Sequence, residues 1–287
     1  MKTKDIIKKI FIIIIFFIFL SFILRKPQIL YEGDLEKDGF CIIKNALSHS
    51  DLNIIENNLR EDKVVDTKKY IINNFNINNK IKSKLNQNNN IVKKYNFQDY
   101  IWLIKKSKVH TCHRDNNGSF FNKQQKYESY TIIFYLTDME KNLDVIRGSH
   151  KNRLQSSIFL TDPTVSIKCN RGDAILFNAN LVHSGSLLKS ENNPRIQMKY
   201  THEDDLKHLE YYENFNKILN KNNSVPYFVQ QIQKHMTCQI PLISDLTQKE
   251  NIRTSRGSSE VDIGNFQKIY SSLFYGDKDF YDIPNAK

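Results

Sequence analysis

A mainly β domain with flanking helices is predicted by three observations. Four runs, Tyr100 to Ile104, Tyr130 to Leu136, Ile175 to Phe177 and Ile196 to Tyr200, are rich in the β-branched and aromatic residues that suit a pleated, buried surface. Turn signals stand just before the last two of them, Gly172-Asp173 and Asn193-Pro194. Stretches of helical spacing lie outside these runs, from Asp205 to Asn220 (Leu206, Leu209, Tyr212, Phe215, Ile218, Leu219) and from Pro226 to Met236.

Taken in chain order, Lys2, Lys4, Lys8 and Lys9 precede an apolar run from Ile10 to Leu24, broken by Ser21 and closed by Arg25-Lys26-Pro27. The run falls short of the roughly 20 residues of a typical spanning helix and also suits a signal-peptide core. No small-x-small cleavage site follows it. The expectation is therefore an uncleaved signal anchor over residues 10–26, with a short basic cytosolic end at 1–9 and a lumenal catalytic part in the secretory pathway, although Arg25-Lys26 weaken the orientation argument. About 255 residues remain, enough for one barrel with helical additions. Ser48 and Asp51 form an S-x-x-D helix start. Residues 60–98 carry no informative pattern.

The chemistry is concentrated in His113-Arg114-Asp115, followed by His183 and then Arg195. If 109–115 runs as a strand, side chains at i and i+2 share a face, so His113 and Asp115 point at one ion while Arg114 points away. His183 follows the turn and buried strand that begin at Gly172. Two imidazoles and one carboxylate are the facial ligand set of non-haem Fe(II) oxygenases, which leaves positions open for co-substrate and dioxygen. A structural zinc site would instead be closed by four ligands. Arg195 opens another strand-like run, and its guanidinium can grip a carboxylate bidentately. A lone His-x-Asp is weak: His202-Glu203-Asp204 is a second one, read as a solvated helix start because a charged helical stretch follows it.

With these residues in place, the chain resembles the phytanoyl-CoA dioxygenase (PhyH)-like family of Fe(II)/2-oxoglutarate-dependent oxygenases from about Tyr31 to about Thr201. The likeness rests on Leu35 to Ser48, a glycine-led strand entering a capped helix; on Leu143 to His150, which ends in Gly-Ser-His with Arg147 where proline is common; and on Gly172-Asp173, His183-Ser184-Gly185-Ser186 and Asn193-Pro194-Arg195 in the family's order. The resemblance implies a double-stranded β-helix, a jelly-roll barrel over residues 31–203 with the site in its mouth. A helical extension, 204–287, lies beyond it. The resemblance further implies that His113, Asp115 and His183 bind iron and act in catalysis, and that Arg195 pairs with the distal carboxylate of 2-oxoglutarate. Dioxygen is the second co-substrate and ascorbate a supporting reductant. Relatives that halogenate lack the carboxylate, so Asp115 favours hydroxylation. Gln197 stands where a small hydroxyl residue often assists the arginine.

Thr131, Ile133 and Tyr135 share one strand face. Thr131 or Tyr135 could touch the co-substrate, with a packed barrel position the preferred reading of both. His110 and Cys112 are read as wall residues.

The net charge of +11 does not imply nucleic acid, because the lysines are scattered among asparagines and isoleucines without an aromatic-interleaved basic patch. Cys41, Cys112, Cys169 and Cys238 show no zinc or C-x-x-C spacing, and their pairing is not legible. Asn117-Gly118-Ser119 and Asn222-Asn223-Ser224 are sequons that matter only in a lumenal setting. The expected partner is a small-molecule or peptide substrate. The alternatives are a prolyl- or lysyl-type peptide hydroxylase of the secretory pathway, where lysine often replaces the arginine, and a non-catalytic jelly-roll binding module.

Overall fold

The computed structural model describes residues 3–23, 28–85, 87–105, 109–115, 123–152, 164–187, 193–208, 220–221, 224–244 and 265–281. Among these residues ten strands form two facing sheets, as the sequence predicts for a mainly β domain. The larger sheet runs β2 (Phe40–Ile43), β8 (Ala174–Asn178), β5 (Tyr130–Tyr135), β10 (Arg195–His202), β3 (Tyr95–Phe97), with β4 (Trp102–Ile104) also paired to β10. The smaller runs β1 (Gln28–Leu30), β7 (Val165–Ile167), β6 (Leu143–Val145), β9 (His183–Gly185). This two-sheet arrangement with helices outside it fits a cupin-like jelly roll.

Alternation along the strands sorts the core. Phe40 and Ile42 of β2, Ile133 and Tyr135 of β5, and Ile175 and Phe177 of β8 face the space between the sheets. There they meet Leu143, Val145 and Ile167 of the smaller sheet. The intervening residues Cys41, Ile43, Ile132, Phe134, Leu176 and Met198 face outward and bury against helices. Because the side-chain period of a strand is two, this one register decides both layers.

Those helices are α2 (His49–Arg60), α3 (Val64–Asn73), α4 (Phe75–Lys82) and the short α5 (Asn89–Val92), so the uninformative stretch 60–98 is mostly helical cover for the larger sheet. Helix α2 starts at the predicted signal: Ser48 Oγ accepts the Asp51 amide at 3.2 Å, and the Ser48 amide donates to Asp51 Oδ2 at 2.7 Å. Asp51 Oδ1 also accepts Tyr70 Oη and Asn74 Nδ2, tying α2 to α3 and α4.

Helix α1 (Thr3–Ile23) forms over the apolar run, but among the described residues no helix is long and apolar enough to cross a membrane. Lys4, Asp5, Lys8 and Lys9 lie within its first turns. The uncharged part, Ile10 to Ile23, rises about 21 Å at 1.5 Å per residue, short of a hydrocarbon core about 30 Å thick. The expected signal anchor, the membrane partnership and the lumenal location that followed from it are therefore not upheld.

The extension supplies α6 (Tyr227–Gln239), close to the helix predicted from Pro226, and α7 (Asn265–Tyr275). The helix expected from Asp205 reduces to a 3-10 helix, Glu203–His208, over its described part, and 209–219 lie outside the described residues. The sequons' Asn117 and Asn222 and the loop expected at 250–264 are also outside them. His202 is not solvated: it ends β10, is buried, and stacks on Tyr127 with ring centroids 3.8 Å apart. Asp205 turns inward to accept the amides of Lys126 and Tyr127.

Candidate metal centre

The segment 109–115 is not a strand. Among its residues only His113 makes a ladder contact, an isolated antiparallel bridge to His183 with amide-to-carbonyl distances of 2.9 and 2.8 Å in the two directions. The Asp115 amide then donates to the Ala179 carbonyl at 2.9 Å. These bonds to the chain leading into β9 do what strand pairing was expected to do, and they bring distant residues together.

One donor atom each from His113, Asp115 and His183 lies within 4.8 Å of the others. His113 Nδ1 donates to the Thr111 carbonyl and His183 Nδ1 to the Leu181 carbonyl, each at 2.9 Å. Engaging Nδ1 in this way places the lone pair on Nε2 in a neutral ring, the tautomer a metal ligand needs. His183 Nε2 stands 3.9 Å from Asp115 Oδ1. Phe177 closes one side, its ring centroid 4.5 Å from that of His183. Burial holds the His183 pKa below its ordinary value against the raising effect of Asp115. Burial pushes the Asp115 carboxyl up, but the Lys199 ammonium beside it outweighs this and holds it well below the usual carboxylate range. A deprotonated carboxylate beside neutral imidazoles is a donor set that suits Fe(II).

Strand β10 supplies the cations. Arg195, Gln197 and Lys199 alternate on the face opposite Tyr135, Ile133 and Thr131 of β5, residue against residue. Arg195 is buried, and its Nη1 donates to the carbonyl and the side-chain oxygen of Asn193 at 3.3 and 3.2 Å. Across the ladder the Tyr135 hydroxyl is fully buried with no hydrogen-bond partner among the described residues. An orphan donor beside a buried guanidinium fits an acidic co-substrate, since an unsatisfied buried hydroxyl is costly without one. Gln197, where the sequence offers no hydroxyl, pairs with Ile133, and the hydroxyl-bearing residue opposite Arg195 is Tyr135.

The Thr131 hydroxyl donates to Asp115 Oδ2. So does the buried Lys199 ammonium, which also donates to Thr131 Oγ1 at 2.6 Å. Lys199 escaped the sequence reading. Its signal was two-residue alternation from Arg195, which puts a lysine on an inward face.

Surrounding residues hold the ligand loops. Arg114 points away from the site, as expected, but it is fully buried and donates to the carbonyls of Asn180 and Asn152 at 2.9 and 2.8 Å. In the Gly-Ser-His turn, Ser149 Oγ accepts the Val182 amide at 2.9 Å, just before His183. Arg147, at the place where proline is common, donates through Nε and Nη2 to Asp38 Oδ1 at 3.0 and 2.8 Å. Cys112 is buried and forms a disulfide with Cys238 of α6. His110 Nε2 meets Gln233 Oε1 of the same helix at 2.9 Å.

Residues 83–196 match the family model described as phytanoyl-CoA dioxygenase (PhyH). Over these residues the chain is similar to that family. The match spans the three clustered residues and ends one residue past Arg195. No curated protein matches the chain. Solved structures similar to it include EvdO2 from Micromonospora carbonacea var. aurantiaca, 12% identical over 58% of this chain and 87% of that one at a TM-score of 0.45. AviO1 from Streptomyces viridochromogenes Tue57 is 12% identical over 59% of this chain and 92% of that one, TM-score 0.45. HygX from Streptomyces hygroscopicus, solved with nickel and 2-oxoglutarate bound, is 12% identical over 59% and 84%, TM-score 0.41.

Proposed function

We propose that the domain hydroxylates a small-molecule substrate as an Fe(II)- and 2-oxoglutarate-dependent dioxygenase, with His113, Asp115 and His183 as the metal ligands. The observation that carries the reading is the convergence of three donor atoms within 4.8 Å, with Asp115 held by Thr131 of β5, the strand whose Tyr135 stands opposite the buried Arg195. Bound iron and 2-oxoglutarate would supply the oxidative chemistry, which belongs to the cofactor.

The chain's own residues bind, orient and exclude water. His113 and His183 present Nε2 because carbonyls occupy their Nδ1 atoms. Arg195 pairs with the distal carboxylate of 2-oxoglutarate, and Tyr135 donates to the same group. Phe177 and the apolar layer between the sheets keep water from the ligands. The presence of Asp115 as a third ligand favours hydroxylation over halogenation. A peptide hydroxylase that holds its co-substrate through lysine is less well supported, because Lys199 of β10 is already bonded to Asp115 and Arg195 is the cation opposite Tyr135.

The deciding experiment measures succinate formed from 2-oxoglutarate by the full chain with Fe(II) and ascorbate, beside His183→Ala and Arg195→Ala. Slow uncoupled turnover in the parent, lost in both variants, is the expected result. A chain that binds no Fe(II) and forms no succinate overturns the reading.

A further inference from the structure

We infer that Lys199 is a positioning residue that reserves one oxygen of Asp115 for the protein, so that Asp115 reaches the metal through Oδ1 alone. The inference rests on the proposed Fe(II)/2-oxoglutarate reading and concerns how that site keeps room for its co-substrates. The two oxygens of Asp115 have different surroundings. Oδ2 accepts both the Lys199 ammonium and the Thr131 hydroxyl, while Oδ1 is the oxygen 3.9 Å from His183 Nε2. Lys199 is itself fixed: it is buried on β10, donates to Thr131 Oγ1 at 2.6 Å, and has the Trp102 ring 5.8 Å away. Hydrogen bonds between ionised partners are roughly twice as strong as neutral ones, so Oδ2 is the oxygen with more to lose by turning to a metal.

The consequence follows from counting positions. Two imidazoles and one oxygen occupy three sites of an octahedral ion and leave three. A bound 2-oxoglutarate and dioxygen would have to share these three. If Asp115 bound through both oxygens, only two would remain, and the co-substrates would compete. Lys199 also brings a positive charge close to the ion, so it weakens metal binding while it protects co-substrate binding. Its removal therefore shifts the two affinities in opposite senses, which a residue with a merely structural role does not do.

The test uses the full chain loaded anaerobically with Co(II) or Ni(II). Metal affinity is measured by competition with a chelator, and 2-oxoglutarate affinity by titration calorimetry of the loaded protein. For Lys199→Met the expectation is metal binding at least about tenfold tighter and 2-oxoglutarate binding at least about tenfold weaker than in the parent. Thr131→Val, which removes the other donor to Oδ2 and retains the lysine, shifts both in the same senses by a smaller factor. This variant decides the matter if Lys199→Met does not fold. Unchanged affinities in a folded variant, or a loss of both together, overturn the role given to Lys199. A parent chain that binds neither metal nor 2-oxoglutarate overturns the proposed function instead, so the two failures are distinguishable.

Discussion

Cys112, the residue before His113, is cross-linked to Cys238 on α6, 126 positions away in the chain. The bond is one of several contacts between the ligand-bearing segment and the C-terminal extension. His110 meets Gln233, the Thr111 hydroxyl lies 2.8 Å from the Tyr275 hydroxyl, and the Cys112 amide donates to Thr237 Oγ1 at 2.9 Å. Because 109–115 lacks a strand partner except at His113, these contacts give it the fixed course that a ladder would otherwise give. The extension is thus part of what positions a metal ligand.

Breaking the cross-link should therefore cost stability and loosen the metal site together. Closing a loop of this length restricts the unfolded chain, and the loss of such a bond typically costs about 2–5 kcal/mol. Cys238→Ser is expected to lower the unfolding free energy by that amount in chemical denaturation and to weaken metal binding, with α6 still helical. A direct check of the pairing is thiol titration of the denatured protein: two reactive thiols, Cys41 and Cys169, before reduction and four after it. Four thiols before reduction would remove the cross-link from the argument.

Tyr135→Phe isolates the orphan hydroxyl. The ring stays in the layer between the sheets and only the donor goes, so the loss is that of one hydrogen bond, about 1 kcal/mol or about fivefold in 2-oxoglutarate affinity. Metal affinity should not change. Arg195→Met removes the charged partner and should weaken 2-oxoglutarate on the order of a hundredfold or more. Calorimetric titration of the metal-loaded variants checks both, and a Tyr135→Phe variant that binds 2-oxoglutarate as the parent does would take Tyr135 out of the site.

Gly39→Ala probes how the family's entry segment supports the ligands. Gly39 has φ of 85°, and a Cβ there would stand 2.5 Å from His150 Nδ1 and 2.7 Å from Leu181 Cδ1. The left-handed backbone and the crowding together should cost about 2–4 kcal/mol. Leu181 carries the carbonyl that fixes the His183 ring, so metal affinity should fall as well. Thermal unfolding with and without metal reads both effects; a variant as stable as the parent would show that this contact yields freely.

What was legible in the sequence followed from periodicity and motif order. The face shared by Thr131, Ile133 and Tyr135, the capped helix at Ser48, and the meeting of His113, Asp115 and His183 all depend on local spacing or on motifs in sequence, and the structure has each of them. Expectations that needed length or long-range contact fared worse. The strand at 109–115 is a single bridge, because its hydrogen-bonding partners on α6 and α7 lie more than a hundred residues away. Four cysteines allow three pairings in two disulfides, and nothing local selects Cys112 with Cys238. His202 was placed in solvent on the charge of its successors, yet Tyr127 covers it. Lys199 was hidden by abundance, one of 42 basic residues until its strand face is known.

A second buried ion pair fastens the extension to the barrel and gives the fold an acid limit. Asp144 of β6 accepts the Lys234 ammonium of α6 at 2.5 Å and the Ser166 hydroxyl at 2.6 Å, and Lys234 also donates to the Gly185 carbonyl at 2.9 Å. Burial pushes the Asp144 pKa up, but Lys234 and Lys141 more than offset it and bring it down to about 2 from an ordinary 3.8. A folded-state pKa below the unfolded one means stability that is fully present above about pH 4 and lost as pH falls through about 2. The difference between the folded and unfolded values corresponds to about 2 kcal/mol. The gap in unfolding free energy between the parent and Asp144→Asn should therefore be widest above pH 4 and narrow by about 2 kcal/mol toward pH 2. Lys234→Met, which leaves Asp144 buried without its main partner, should cost about 3–5 kcal/mol at neutral pH. Denaturant unfolding of the three proteins from pH 6 to pH 2 checks this, and a gap that stays constant across the range would show that Asp144 does not set the acid limit.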